Sequence, residues 1–237
     1  MIFLRSLAFL IAQILVTPPY AIVALATFPL PRLARYRVIS GWSRAMIWLA
    51  KKVLGIQYRV IGAENLPRTP AVILSKHQSA WETLAFQVIF PPQVWVLKRE
   101  LLWIPFFGWG LALTSPIAIN RSSGARALRR MAELGRKRLA QGFWIAIFPE
   151  GTRVQPGKRG TYHPGGAWLA VNCGAPVVPV AHNAGLLWGR GAFLKRPGTV
   201  TVEIGAPIDA RSHTPESLNA AVEEWIEGRM AKLCPVP

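Results

Sequence analysis

Two short stretches of the chain carry residue types suited to acid-base chemistry and anion binding. In residues 75–82, His77 is followed by Glu82 with four residues between them. A histidine side chain titrates near neutral pH, which suits a general base, and a carboxylate beside it fixes its tautomer. The second stretch, residues 148–153, reads FPEGTR and places an acid and an arginine around a glycine. The first stretch therefore predicts a base, and the second predicts an anion site.

The spacing of His77 and Glu82 restricts where they can lie. Residues five apart on a regular helix point roughly 140° apart, so one helix spanning both would separate them. We therefore expect His77 in a loop just before a helix that carries Glu82 in its first turns. The apolar run 71–74, which ends close to this loop, predicts a β-strand. The two side chains then meet at a strand-to-helix junction.

A histidine base needs a hydroxyl or thiol to deprotonate. Ser75, Ser79 and Cys173 are candidates, but none lies in a Gly-x-Ser-x-Gly elbow or a known cysteine motif. A substrate hydroxyl is therefore favoured over a covalent enzyme intermediate. The alternative for His77 alone is a structural histidine whose ring bonds the backbone at a strand end.

Residues after strand candidates predict a site for an anion. Gly151 permits close backbone approach, Thr152 donates a hydrogen bond, and Arg153 can bind phosphate through two nitrogens. Arg121 follows another apolar run, so it is expected at the same sheet edge. Glu150 has two interpretations: it accepts a substrate hydroxyl, or it orients an arginine. A solvated surface position is the alternative for each arginine.

The charge balance narrows the class of partner. The chain has 28 Lys and Arg against 11 Asp and Glu, a net charge of +17, which attracts phosphate in nucleic acid, anionic lipid or a phosphorylated substrate. A hydrophobic fraction of 51% and ten tryptophans favour an anionic membrane surface, so we expect no nucleic-acid partner. Cys173 and Cys234 have no ligand or framework spacing, which favours a reducing compartment.

The chain begins with an apolar segment that has no charged residue between Arg5 and Arg32. Pro18 and Pro19 divide it into halves of roughly 18 Å as helix, shorter than the ~30 Å hydrocarbon core of a bilayer. We therefore expect a membrane-associated two-helix hairpin that turns at the prolines and keeps both basic ends on the cytoplasmic side. A single kinked span and a cleaved signal peptide are the alternatives.

Two further apolar stretches have more than one interpretation. Residues 41–56 mix apolar and basic residues and predict an interfacial helix, with a core helix as the alternative. Residues 101–109 are dense in aromatic and aliphatic side chains but are broken by Pro105 and Gly108. They line a slot for a fatty chain or dip into the bilayer, or else they form a buried loop.

The rest of the chain alternates strand and helix candidates, which predicts an α/β fold with a central mixed sheet flanked by helices. We expect residues 1–56 to form an N-terminal membrane-associated helical segment and residues 57–237 to form an α/β domain. The strand candidates are 71–74, 94–97, 116–119, 143–148, 177–181 and 200–204; the helix candidates are 81–89, 124–140 and one that starts at Thr214.

The motifs resemble those of the glycerolipid acyltransferases of the lysophosphatidic acid type, which acylate 1-acylglycerol 3-phosphate. Four blocks match in order and spacing, over roughly residues 65–185, and FPEGTR beside a His-x4-acid block is highly specific. The blocks are His77 to Glu82; Lys98, Pro105, Gly108, Trp109 and Arg121; residues 148–153; and residues 177–180, with the sequence VVPV.

The resemblance implies a reaction and a site. His77 and Glu82 would be the catalytic dyad that moves an acyl group from acyl-CoA or acyl carrier protein to the sn-2 hydroxyl of lysophosphatidate, giving phosphatidate without metal or cofactor. The residues that would bind substrate are Lys98, Arg121, Glu150, Gly151, Thr152 and Arg153. The resemblance also implies an N-terminal anchor in the inner (cytoplasmic) membrane, with the active site facing the cytoplasm.

The sequence departs from the family pattern beside the dyad. The family more often has Asn before the histidine and Asp as the acid, where this chain has Lys76 and Glu82, and Asn120 replaces the usual acid before Arg121. The longer glutamate requires a backbone shift, and Lys76 is expected to contact phosphate or the acyl carrier. A His-x4-Glu dyad also occurs in acyltransferases of lipid A synthesis. The alternatives are therefore another lysolipid or lipid A-type acceptor, and a non-enzymatic basic membrane-binding protein.

Overall fold

A computed structural model describes residues 1–120 and 124–235. Within these residues the chain forms one seven-stranded sheet with helices on both faces, preceded by two helices. The strands are β1 (Ile56–Ile61), β2 (Val72–Ser75), β3 (Gln93–Lys98), β4 (Ile117–Ile119), β5 (Trp144–Ile147), β6 (Val177–His182) and β7 (Gly198–Ile204). The helices are α1 (Ile2–Ala26), α2 (Arg32–Leu49), α3 (Trp81–Ile89), α4 (Phe107–Leu113), α5 (Gly124–Ala140), α6 (Gly165–Cys173), α7 (Ala184–Leu187) and α8 (Pro215–Leu233).

The sheet is mixed, as predicted. Its strand order is β1-β7-β6-β2-β5-β3-β4. The five strands β2 to β6 are parallel to one another, while β7 runs antiparallel to β6 and pairs in parallel with β1. Helices α3 to α6 provide the crossovers that parallel pairing requires. The carboxyl ends of β2 to β6 therefore lie along one edge of the sheet.

Both faces of the sheet are covered, so the central strands are apolar along their length. In β2, Ile73 faces one core, which also contains side chains of α2 and α3. Its neighbours Val72 and Leu74 face a second core, shared with α5, α6 and α8. All three are fully buried. The strand that leads into the His77 loop is thus fixed on both sides.

The predicted N-terminal hairpin is present, but the prediction that it turns at the prolines is wrong. Helix α1 continues through Pro18 and Pro19, although a proline inside a helix costs about 3 kcal/mol. The antiparallel α2 packs against this part of α1: the Trp42 indole donates to the Thr17 hydroxyl at 3.2 Å, and the Tyr20 hydroxyl donates to a carbonyl of α2 at 2.5 Å. Tertiary contacts therefore hold the helix together across the prolines.

The hairpin turns instead at residues 27–31. Pro29 and Pro31 lie there with one residue between them, and α2 starts directly after Pro31. The Thr27 hydroxyl donates to a carbonyl in the last turn of α1 at 2.5 Å, and the Arg35 guanidinium donates to two carbonyls of the turn. A Pro-x-Pro pair fixes two φ angles and removes two donors, so the helix stops.

Residues exposed on α1 and in residues 101–109 form what we call the apolar surface. Helix α1 is long and apolar enough to cross a membrane, with a mean hydropathy of 1.9 over its most apolar window and only 17% of that window buried. Residues 101–109 are not a buried loop: a 3₁₀ turn (Arg99–Trp103) leads into α4, and Trp103 is 68% exposed. Since α4 packs against α1, the two parts of the apolar surface adjoin.

Residues 41–56 are not one regular helix, and they pack against the core, as the alternative interpretation expected; an interfacial position stays a prediction. Helix α2 ends at Leu49, a π-helical turn covers Ala50–Leu54, and Gly55 ends it with φ +73°. Met46 and Leu54 are buried in the core beside α3, whereas Lys51 faces solvent. Strand β1 follows at once and was not predicted. The division of the chain at residue 56 stays a prediction.

The other predicted elements are confirmed within the residues described. All six strand candidates correspond to β2 to β7, and the helix candidates correspond to α3, α5 and α8. Helix α8 starts as expected, with the Thr214 hydroxyl accepting from the Ser217 amide at 3.2 Å and proline in the first turn. The sequence reasoning missed α4, α6 and α7.

Candidate active site

The site residues predicted from the sequence follow neighbouring strands. His77 comes after β2, Glu150 after β5, and Lys98 ends β3 with an exposed side chain. These three strands are parallel neighbours, so their carboxyl ends lie side by side. Arg121, the fourth predicted strand-end residue, lies outside the described residues.

The predicted junction between strand and helix brings His77 and Glu82 together. Helix α3 begins at Trp81, so Glu82 lies in its first turn. His77 Nδ1 and Glu82 Oε1 are 2.8 Å apart. The same oxygen accepts the backbone amides of Gln78 at 3.0 Å and Ser79 at 2.8 Å. The loop thus wraps around the carboxylate, which is how the longer glutamate is accommodated.

The environment of Glu82 favours its ionised form. Burial raises the pKa of this carboxyl, but the neighbouring His182 imidazole and the hydrogen bonds from His77 and the Ser79 amide outweigh burial, so the pKa lies below its ordinary value. An ionised Glu82 accepts the Nδ1–H of His77, which leaves the lone pair on Nε2. Nε2 has no hydrogen-bond partner among residues 1–120 and 124–235, and the His77 side chain is 13% exposed. The ring can therefore accept a proton from a bound molecule.

Aromatic rings hold the imidazole from behind. Phe148 is the first residue of the FPEGTR stretch. Its ring stacks on the His77 imidazole, with 3.8 Å between the ring centroids and 8° between the ring planes. Phe148 in turn stacks on Trp95 of β3 at 5.4 Å. The resulting apolar wall fixes the plane of the imidazole.

Three hydrogen bonds join the His77 loop to the FPEGTR loop. Glu150 Oε2 accepts the His77 amide at 2.8 Å, and the His77 carbonyl accepts the Val154 amide at 2.8 Å. The Arg153 guanidinium donates through Nε to the Ser79 carbonyl at 3.0 Å. The two loops therefore form one rigid unit.

Glu150 and Lys76 do not face an open site. Glu150 Oε1 accepts Lys76 Nζ at 2.7 Å, and Lys76 also pairs with Glu227 of α8 at 2.7 Å. The Lys76 side chain is 1% exposed and that of Glu150 is 0% exposed. The expected contact of Lys76 with phosphate or an acyl carrier is therefore wrong, because its three protons point inward. Glu150 orients the backbone of His77 rather than an arginine or a substrate hydroxyl.

The rest of the FPEGTR stretch forms an exposed turn with an arginine beside it. Gly151 has φ +65°, in the left-handed region where a Cβ is costly. Thr152 is exposed, and Arg153 is half-buried. Within the described residues, the terminal guanidinium nitrogens of Arg153 have no hydrogen-bond partner. A second guanidinium, that of Arg190, donates to the Arg153 carbonyl at 3.2 Å and was not predicted.

The nucleophile candidates are not placed to react with His77. Ser75 is buried, and its hydroxyl donates to the next carbonyl at 2.9 Å. The Ser79 hydroxyl accepts the first amide of α3 at 3.0 Å. Cys173 ends α6, towards the amino edge of the sheet, and burial raises the pKa of its thiol. The structure therefore agrees with a substrate hydroxyl as the group to be deprotonated.

A second histidine, His182 at the end of β6, is hydrogen-bonded to the loop between β2 and α3. Its Nε2 donates to the Lys76 carbonyl at 2.9 Å, and its Nδ1 accepts the Ala184 amide at 3.3 Å. Complete burial lowers the pKa of His182 below its ordinary value, although the nearby Glu82 carboxylate opposes this. His182 is therefore neutral in the folded protein at neutral pH.

The lowered pKa of His182 makes stability depend on pH. Below about pH 6.5, the ordinary histidine pKa, the unfolded chain binds a proton at His182 that the folded chain does not, so the free energy of unfolding falls as pH falls. The slope for one group is at most about 1.4 kcal/mol per pH unit. We expect Tm to drop between pH 7.5 and 5.5, and His182→Gln to show a smaller drop. His213→Gln, at a half-buried histidine in the turn before α8, is the control; equal drops in the two variants would contradict this assignment.

An apolar cleft lies beside the dyad rather than over it. It is lined mainly by side chains of α1, α2 and α4. Its lining includes Gln87, on the same helix as Glu82, but neither His77 nor Arg153. The cleft opens within the part of the molecule that carries the apolar surface, and its apolar lining is suited to a fatty chain.

Comparisons with known proteins were made on the sequence and on the fold. The sequence model of the family described as Acyltransferase matches residues 57–183. The fold matches the crystal structure of a 1-acyl-sn-glycerophosphate acyltransferase from Thermotoga maritima with a TM-score of 0.81, at 23% identity, over 99% of this chain and 96% of that one. At that identity the structural match establishes the fold.

Two relatives illustrate the range of sequence similarity. The chain is 49% identical over 211 residues to a 1-acyl-sn-glycerol-3-phosphate acyltransferase of Pseudomonas aeruginosa, covering 87% of this chain and 82% of the relative. It is 31% identical over 189 residues to the alpha form of the enzyme of the same name in Mus musculus, covering 76% and 65%. Both alignments extend beyond the family-matched region, which itself contains His77, Glu82 and the FPEGTR stretch. The chain therefore belongs to the Acyltransferase family.

Proposed function

We propose that the protein is a 1-acyl-sn-glycerol-3-phosphate acyltransferase. It transfers a fatty acyl group from a thioester, acyl-CoA or acyl carrier protein, to the sn-2 hydroxyl of lysophosphatidate and releases phosphatidate and a thiol. The name of the 49% identical relative supports this acceptor. The observation that carries the chemistry is the 2.8 Å contact of His77 Nδ1 with a carboxylate oxygen that two backbone amides also hold.

His77 acts as the general base in this proposal. Nε2 takes the proton of the sn-2 hydroxyl while the oxygen attacks the thioester carbonyl, and Glu82 stabilises the imidazolium that forms. The tetrahedral intermediate then collapses, the carbon–sulfur bond breaks, and the imidazolium returns its proton to the thiolate. The charge on Glu82 matters because the imidazolium forms beside an otherwise apolar wall.

The acceptor's phosphate is bound by guanidinium groups beside the dyad. Arg153 is fixed to the His77 loop through Nε, and its terminal nitrogens remain for a ligand. We assign Arg121, Lys98 and the exposed turn at Gly151 and Thr152 to the same phosphate site. Glu150 contributes by holding Arg153's loop and the His77 backbone together, without touching the substrate.

The apolar surface supports a membrane location for this chemistry. Helix α1 and residues 101–109 expose large side chains, and both substrates carry a fatty chain. We propose that the apolar surface lies in the inner membrane, that the site faces the cytoplasm, and that the apolar cleft receives a fatty chain. No cofactor or metal takes part in the proposed steps.

Arg153→Ala should raise the KM for lysophosphatidate by tenfold or more, since a charge-assisted hydrogen bond is worth about 1.5–3 kcal/mol. The effect on kcat should be smaller. Initial rates in mixed micelles would measure both constants. Arg211→Ala, which removes an exposed arginine in the turn before α8, is the matched control. An acceptor that lacks the phosphate, 1-acylglycerol, should be used equally poorly by wild type and Arg153→Ala; an unchanged KM for lysophosphatidate would place Arg153 outside the site.

One assay tests the proposed function directly. The purified full chain in micelles is given lysophosphatidate with either acyl-CoA or acyl carrier protein thioester, and phosphatidate is followed by mass spectrometry. Formation of phosphatidate with at least one donor, and its loss in His77→Ala, is the expected result. Binding to anionic micelles without any acyl transfer would instead support a basic membrane-binding protein.

A further inference from the structure

The lysine beside the catalytic histidine is the centre of a buried charged cluster. Lys76 Nζ donates to Glu150 Oε1 and to Glu227 Oε1, each at 2.7 Å, and to the Lys158 carbonyl at 3.3 Å. Tyr162 adds a fourth side chain, because its hydroxyl donates to Glu227 Oε1 at 2.7 Å. Burying an ammonium group costs free energy unless the group is paired, so each proton of Lys76 Nζ needs an acceptor.

The members of the cluster come from distant parts of the chain. Lys76 follows β2, Glu150 follows β5, Tyr162 precedes α6, and Glu227 lies on α8, the C-terminal helix. Glu227 lies outside the family-matched residues 57–183. The cluster therefore connects a helix beyond the family core to the loop that carries the base.

The connection ends on the backbone of His77. Glu150 uses its two oxygens for different partners, Lys76 Nζ at one and the His77 amide at 2.8 Å at the other. Burial raises the pKa of Glu150, and the nearby Glu227 carboxylate adds to this rise. Lys76 and the His77 amide act in the opposite direction and favour the charged carboxylate that accepts both bonds. Burial and the neighbouring Glu150 and Glu227 raise the pKa of Tyr162, so its hydroxyl stays protonated and donates.

We propose that Glu227 of α8 is a positioning residue for acyl transfer, acting through Lys76 and Glu150 on the backbone of His77. It touches neither substrate nor the imidazole. The inference rests on the proposed function of His77 as the base. It also gives Lys76 a role: the lysine joins the two carboxylates that fix the loop between β2 and α3.

The first variant for a test is Glu227→Gln, which keeps the shape and the acceptor for Tyr162 but removes one charge. Lys76 keeps Glu150 as its partner, so the variant should fold. We expect kcat to fall by roughly tenfold with the KM values of both substrates within about twofold, because loss of alignment affects the chemical step more than binding. Glu223→Gln is the matched control: it lies one turn earlier on α8 and pairs with the exposed Arg159. It should retain the wild-type kcat.

A second variant, Lys76→Met, leaves Glu150 and Glu227 facing each other without a cation. We expect kcat to fall by about a hundredfold, and Lys76→Met combined with Glu227→Gln to recover part of that loss. Recovery by a second substitution is not expected if Lys76 merely fills space.

Hydrogen exchange measured by mass spectrometry provides a readout that does not depend on activity. In Glu227→Gln, the peptide that covers residues 76–79 should exchange faster, because Glu150, the acceptor of the His77 amide, is held less firmly once Lys76 has lost one carboxylate partner. Peptides of β5 and β6 should keep wild-type rates. If the wild-type protein showed no acyl transfer, the proposed function would be overturned. The hydrogen-exchange result would then still test whether Glu227 fixes the His77 backbone. An active wild type whose kcat and loop exchange are both unchanged in Glu227→Gln would overturn the positioning role.

Discussion

His77→Ala should lower kcat for phosphatidate formation by about a thousandfold, within the range for loss of a general base. Nδ1 of His77 bonds Glu82, so Nε2 is the nitrogen that can act as the base, and the variant removes it. The loop itself stays in place, because the His77 backbone still bonds Glu150 and Val154. The imidazole is partly exposed and stacks on one ring, so its loss should change Tm little. Initial rates and thermal melts of the same detergent preparation would check both expectations.

His213→Ala is the control for this variant, because His213 is a half-buried histidine in the turn before α8, outside the site. It should keep wild-type kcat and Tm. If His77→Ala retained more than about a tenth of the wild-type kcat, general-base catalysis by this residue, normally worth 10²-fold or more, would be ruled out.

Glu82→Gln should lower kcat by about a hundredfold. This loss is smaller than that expected at a site where one carboxylate both supplies the charge and fixes the histidine tautomer. In this protein the two functions are separate. The Gln78 and Ser79 amides hold Oε1, so a carboxamide oxygen would occupy the same place and still accept the Nδ1–H of His77. Glu82 Oε2 has no hydrogen-bond partner in the described residues, and the amide NH₂ would take that place. What is lost is the negative charge that stabilises the imidazolium.

Two companion variants separate charge from geometry. Glu82→Leu removes the acceptor as well, leaves the Gln78 and Ser79 amides unpaired, and should be less active and less stable than Glu82→Gln. Glu82→Asp keeps the charge but is one methylene shorter, so it should lose activity. An active Glu82→Leu would show that the carboxylate is not needed, whichever way the other two variants behave.

The local part of the site was predictable because it depends on short-range geometry. The five-residue spacing of His77 and Glu82 excludes a shared regular helix, so a junction was required, and β2 and α3 provide it. The sheet was predictable for a similar reason: strands covered on both faces are apolar runs, and six of them stand out in the sequence. Strand β1 was missed because its exposed side chains interrupt such a run.

The long-range part was not predictable, since burial of a charge depends on partners far away in the chain. Lys76 looked like a surface cation beside the base, but Glu227, 151 positions later, pairs with it. Arg190 carries no motif and reaches Arg153 only through the fold. His182 did have a usable signal, its position at the carboxyl end of a predicted strand, where ligand-binding residues often lie.

The hairpin illustrates how one local rule can be overridden while another holds. Two adjacent prolines suggested a break, but packing of Trp42 and Tyr20 keeps α1 continuous there. Pro29 and Pro31 do mark the true turn. Both pairs of prolines are short-range signals for a helix end. Tertiary contacts, which a sequence pattern does not contain, determine which pair ends the helix.

Helix α1 is attached near both of its ends. Near its start, the Ser6 hydroxyl accepts the Lys195 amide at 3.0 Å, and the Lys195 ammonium lies 5.7 Å from the Phe9 ring and 4.9 Å from the Trp188 ring. Near its end, α2 holds it. The helix is therefore fixed to the rest of the fold at two places, and in the membrane placement proposed above it would hold His77 at a constant depth relative to the lipid. In that placement lysophosphatidate would reach His77 by lateral diffusion, so the turnover rate should follow the mole fraction of lysophosphatidate in the bilayer rather than its bulk concentration.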